Sequence, residues 1–192
     1  MTNKLTSTLL SLAIFTSGYV SASNIQSEET ENLISWIKHG QVMKVEQAIA
    51  QGFDINRAMP GDGTPLMLAV ENGHKQLVHR LIELGADVNR ISLQDGNPLI
   101  VAAANNRLEL VEHLLLAGAD VDAIVKYDET ALITAARAGH LAMVKLLVNS
   151  GADVNLTVEA ETVRGVEIRS PLSGAKTEAV RQYLLQHGAT AI

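Results

Sequence analysis

The segment Gly63-Thr-Pro-Leu-Met-Leu-Ala69, closing with Gly85-Ala-Asp-Val-Asn89, is written three times in this chain. It returns as Gly96-Asn-Pro-Leu-Ile-Val-Ala102 with Gly118-Ala-Asp-Val-Asp122, and again as Glu129-Thr-Ala-Leu-Ile-Thr-Ala135 with Gly151-Ala-Asp-Val-Asn155. Thr64, Asn97 and Thr130 stand 33 residues apart, and so do Gly85, Gly118 and Gly151. A period of about 33 fits one β-turn and two helices, a unit that cannot bury its apolar face alone and must stack on its neighbours. Such a protein presents a long surface rather than a pocket.

Local chemistry supports the unit. Thr64 can cap an orphan helix amide with its hydroxyl, and Pro65 at the first helical position gives up only an amide without a partner. Asn97-Pro98 repeats that arrangement, and Thr130-Ala131 keeps the cap without the proline. Gly73 and Gly139 are placed to end the first helix in a left-handed conformation, with Asn106 the next most tolerant residue there. The second helix carries an apolar stripe: Leu77, Val78, Leu81 and Ile82; then Leu110, Val111, Leu114 and Leu115; then Met143, Val144, Leu146 and Leu147. That spacing puts each set on one helix face. Gly85, Gly118 and Gly151 end this helix, and the Asp and Asn that follow are suited to bonding turn amides.

Gly-Thr-Pro-Leu, Gly-His and Gly-Ala-Asp-Val-Asn at this period resemble the ankyrin repeat family. The resemblance implies an all-α solenoid of helix-turn-helix units with β-turn fingers, here about five units at 28–56, 57–89, 90–122, 123–155 and 156–192 within a domain 23–192. Met67, Ile100 and Ile133 stand where the family usually has a histidine, which weakens an inter-turn hydrogen bond and leaves the helix intact. In the first unit, Gly40 and Gly52 precede Gly73 and Gly85 by one period, and Phe53-Asp-Ile-Asn56 replaces Ala-Asp-Val-Asn. In the last, Ser170-Pro171-Leu172 restarts the pattern and Val180 to Gly188 completes it. Atypical end units with polar outer faces are what a solenoid needs.

The final joint is longer than the others. Fourteen residues separate Asn155 from Ser170, against seven between Asp122 and Thr130. Val163, Val166 and Ile168 set against Arg164, Glu167 and Arg169 suggest an extended β-finger over 156–169. It is either a specialised contact element or tolerated loop length, since long surface insertions cost little.

At the amino end, Lys4 precedes the apolar run Leu5–Val20, and Val20-Ser21-Ala22 supplies small residues where signal peptidase requires them. This reads as a secretory signal peptide over 1–22, cleaved after Ala22. The alternative is an uncleaved anchor helix, but about 16 residues is short for a bilayer span. Loss of Lys4 takes the net charge from −6 to −7. An acidic chain offers no basic face to nucleic acid or anionic lipid, so neither partner is expected, and no membrane association after cleavage. There are no cysteines, so stability in an oxidising compartment must come from apolar stacking.

Catalysis is not expected. His74 and His140 occupy the family's Gly-His position, where histidine holds the next turn. No zinc-protease, phosphate-loop or serine-elbow motif is present. Asp62, Asp95 and Asp128 repeat at the solenoid step, one carboxylate per turn, unlike the oxygen cluster a calcium ion requires. No enzyme activity, cofactor or metal is assigned.

The resemblance implies that partners bind the concave face formed by turn tips and the exposed side of the first helices. By repeat position that face offers Met59, Glu71, Asn72, Leu93, Gln94, Asn105, Lys126, Tyr127 and Arg137, beside Lys38, His39, Ala104 and Ala138. Met59, Leu93 and Tyr127 are read as exposed successive tips, and Tyr and Arg are favoured anchors. The expected function is a monomeric, non-catalytic protein-protein interaction module in the bacterial periplasm. The strong repeats also resemble ankyrin tails of antirepressor-type zinc metallopeptidases, which implies a regulatory part in envelope stress. An exported effector that binds a host protein, and an accessory factor for a periplasmic oxidoreductase, are the alternatives.

Overall fold

In the computed structural model, residues 22–59, 61, 63–92, 96–125, 129–162 and 165–191 are described. Apart from Ala22, the expected signal peptide lies outside them. Among these residues the chain runs as four helix pairs: α1 (Ala22–Lys38) with α2 (Val42–Ala50), α3 (Pro65–Glu71) with α4 (Lys75–Glu83), α5 (Pro98–Ala104) with α6 (Leu108–Leu116), and α7 (Ala131–Ala138) with α8 (Leu141–Asn149). An antiparallel hairpin, β1 (Val158–Thr162) and β2 (Gly165–Arg169), precedes a single helix, α9 (Glu178–Gln186).

The helix starts are made by the caps. Thr64, Asn97 and Thr130 have extended backbone, and their side-chain oxygens accept from the amides of Met67, Ile100 and Ile133 at 3.3, 2.8 and 3.2 Å. Each bond satisfies one orphan donor of the first turn. The first helices end at Gly73, Asn106 and Gly139, all left-handed, with Asn106 at φ 53°.

The two helices of a pair bury different amounts. Every residue from Pro65 to Val70 and from Pro98 to Ala103 is buried, because the first helices lie between neighbours. The second helices bury only a stripe: Leu77, Val78 and Leu81; Leu110, Val111 and Leu114; Met143, Val144 and Leu147. Helices α1, α3, α5 and α7 pack side by side more closely than α2, α4, α6 and α8. The closer layer is the inside of a curve, so the first helices line the concave side. One continuous apolar core runs from Leu33 to Ala189.

Loops are tied across the stack by side chains. The Asn56 amide donates to Asp54 Oδ1 at 2.9 Å, which folds the loop, and Asn56 Oδ1 then accepts from the Asp87 amide at 2.8 Å. Asn89 accepts from the Asp120 amide at 2.9 Å, Asp122 from that of Asp153 at 3.0 Å, and Asn155 from that of Thr190 at 2.9 Å. Asn89 and Asn155 also donate to the Gly118 and Gly188 carbonyls at 3.0 Å each. Asp122, whose side chain has no N–H, makes no such bond.

Met59, expected at an exposed tip, is 3% exposed and belongs to the core. Its amide donates to the Gly63 carbonyl at 2.7 Å, making the single bridge at the finger base that Ser92–Gly96 and Val125–Glu129 make in the next units. Met59, Ser92, Val125 and β1's Val158 share one register position, 33 residues apart. Met59, Leu93 and Tyr127 are 34 apart, so the expectation slipped one residue per unit and turned an inward position into an outward one.

The long finger pairs Val158 with Arg169, Glu159 with Ile168 and Ala160 with Glu167. Val158 and Ala160 are buried, whereas Val166 and Ile168 face solvent. After it, Ser170-Pro171-Leu172 does not restart a helix. Ser170 Oγ accepts from the Ser173 amide at 3.1 Å, as a cap would, but the segment makes a single turn that no helix continues. From Ser170 to Gly188 the chain has three residues fewer than from Thr130 to Gly151, nearly one helical turn.

Candidate partner-binding face

Five of the expected face residues come together: Lys38, Glu71, Asn72, Ala104 and Asn105. Glu71, at the end of α3, and Asn72 and Asn105, which terminate α3 and α5, line one groove of about 470 Å³ with Met67 and Ile100. Asn72 Nδ2 donates to the Leu68 carbonyl at 2.8 Å, and Asn105 Nδ2 to the Val101 carbonyl at 2.9 Å. Each amide is thereby pinned to its own helix end. Among the described residues neither Oδ1 has a partner, and the Glu71 carboxylate makes no ion pair. Met67 and Ile100 are buried at the groove. A carboxylate and two oriented amide oxygens beside apolar carbon suit a peptide's N–H groups and side chains.

Arg137 lies apart, in a cleft of about 370 Å³ at the other end of the same side. It pairs with Glu129, whose second oxygen accepts from Thr134 Oγ1 at 2.8 Å. Arg169 of β2 approaches the same carboxylate at 3.6 Å. Leu93, Gln94, Lys126 and Tyr127 lie outside the described residues, as do Asp62, Asp95 and Asp128. Met59, now in the core, drops out of the face.

Sequence reasoning missed Met67, Ile100 and Arg169 as parts of these surfaces. Met67 and Ile100 carried a signal, since they break the repeat's usual polar position. Three histidines serve backbone: His74 Nε2 lies 2.9 Å from the Lys38 carbonyl, while His39 and His187 reach the Ser35 and Tyr183 carbonyls at 2.7 and 2.8 Å. The charge interactions that move carboxylates sit on the second helices instead. The Lys75 ammonium, bonded across repeats, holds Glu109 below the usual carboxylate range, and Arg80 does the same for Glu83.

The sequence model described as ankyrin repeats (3 copies) matches residues 33–125 and 91–158. The chain belongs to the ankyrin repeat family. Ankyrin repeats are typically non-catalytic modules for protein-protein interaction, and the pinned groove on the inner helices accords with that use. No curated protein matches this ankyrin chain. Among the described residues no helix is long and apolar enough to cross a membrane.

Proposed function

We propose that this ankyrin stack is a monomeric, non-catalytic module of the bacterial periplasm, about five repeats long, that holds a partner protein along its concave face. The single observation that supports this reading is the groove across α3 and α5, where Glu71, Asn72 and Asn105 surround buried Met67 and Ile100. Amides pinned by their own helices lose little freedom on binding, so their hydrogen bonds retain more of their strength. The sequence from Lys4 to Ala22, read as a signal peptide, supports export to the periplasm, and the likeness to metallopeptidase tails supports a regulatory part in envelope stress.

The test is capture with tagged protein from periplasmic extract and, in parallel, from host-cell lysate. Glu71→Arg with Asn105→Arg should reduce capture of the periplasmic partner at least about tenfold with an unchanged melting temperature. Equal capture by that variant would overturn the concave-face reading. Capture from host lysate alone would replace the periplasmic module with an exported effector, and fractionation that finds the protein in the cytoplasm would remove both.

A further inference from the structure

The irregular joint builds a second cleft, and its contents are unlike the first. Arg137 from α7, Arg169 from β2 and Lys176 from the terminal turn line it together with Ile133, Ile168 and Ser173. The seven extra finger residues carry Arg169 to the end of β2, and the three missing helix residues leave a turn in place of a full helix. Arg137 lies across that turn, so closely that a methyl group at Gly174 would fall 2.7 Å from its Cγ.

The cations here are incompletely answered. Among the described residues, Glu129 and Glu167 are the acids that face them. Three positive and two negative groups leave one net positive charge, in a chain whose total is −6. Arg169 has a side chain only 23% exposed, yet its contacts to Glu129 and Glu167 are 3.6 and 3.5 Å. Good N–H···O bonds are about 2.7–3.2 Å, and a guanidinium carries five donors. Among the described residues this partly buried guanidinium has no bond shorter than 3.5 Å, which leaves donors for one more acceptor. Lys176 is exposed and makes no ion pair among the described residues.

Resting on the reading of the stack as a partner-binding module, we propose that this cleft is a subsite for a carboxylate of the partner, carried by an acidic residue beside an aliphatic one. One net positive charge is neutralised by a single carboxylate, whereas a phosphate dianion would leave the cleft net negative. Ile168, half-exposed, offers the aliphatic contact above the buried Ile133. The finger is then a contact element rather than tolerated loop length.

The test titrates ¹⁵N-labelled protein with acetyl-Leu-Glu-Leu-amide, acetyl-Leu-Gln-Leu-amide and inorganic phosphate. The glutamate peptide should shift the Arg169 Nε–H signal and the amides of Gly174 and Lys176, and the glutamine peptide should bind about tenfold more weakly. Lys176→Gln should weaken the glutamate peptide several-fold and leave other signals in place. Arg169→Gln should weaken it further, and if that change disturbs the hairpin, Lys176→Gln still decides. Equal shifts from both peptides, no shift at Arg169, or phosphate displacing the peptide would each overturn the subsite. Partner capture that survives Lys176→Gln but fails with Glu71→Arg would remove the subsite and leave the concave-face module standing.

Discussion

Arg107 lies over Gly73. Its Nη2 donates to the Glu71 carbonyl at 2.9 Å, and a methyl group at Gly73 would fall 2.9 Å from its Cζ. His74 does the same one unit earlier, over Gly40, reaching the Lys38 carbonyl. The residues before α4 and α6 therefore clamp the end of the first helix one unit earlier. Gly73→Ala meets both a φ of +74° and the guanidinium, and should destabilise by about 1–3 kcal/mol. Thermal melts of the single and double changes check this. With Arg107→Ala in the background the loss should shrink, and strictly additive losses would show that the two residues do not share this space.

The clamp is missing one unit later. Asn106 stands where Gly40 and Gly73 stand, with a side chain in the way, and among the described residues His140 makes no hydrogen bond to the Ala104 carbonyl. Asn106→Gly should let the imidazole reach that carbonyl and raise stability by about 1 kcal/mol. The gain should vanish when His140→Ala is added, and a gain that persists would have to come from the backbone alone.

The loop ladder has a similar gap at Asp122. Asn89 and Asn155 both accept and donate, whereas Asp122 only accepts. Asp122→Asn supplies an N–H for the Gly151 carbonyl and should stabilise by about 0.5–1.5 kcal/mol. Urea unfolding with an unchanged slope would report that gain, and an unchanged midpoint would show that the carbonyl needs no donor.

Met59→Ala separates the two readings of the finger. As a core residue at 3% exposure it should cost about 2–5 kcal/mol, whereas a solvent-facing tip would cost almost nothing. A melting temperature within a degree of the parent would return Met59 to the surface.

Most of the fold was legible because its determinants are short-range. A cap at Thr64 and a left-handed Gly73 are local chemistry, and the period repeats them in register. Met59 was misplaced because a 34-residue step was followed where the chain keeps 33, and one residue decides inside from outside at a strand-like position. Ser170-Pro171 carried a true cap signal, yet a cap cannot lengthen a segment that lacks three residues. Glu71, Asn72 and Asn105 were legible as neighbours because helix ends follow the period. Arg169 was not, since its partner Glu129 is supplied by the neighbouring finger across 40 residues and the pairing depends on hairpin register.

The rungs that join the loops link residues only 29–35 positions apart in sequence, from Asn89–Gly118 to Asn155–Thr190. Contact order is therefore low throughout, and nothing near the start must wait for the far end to be made. A chain appearing from its amino terminus, whether at a ribosome or a translocation pore, can complete each module as soon as the next has emerged. Unprotected apolar surface would at any moment be confined to the newest module.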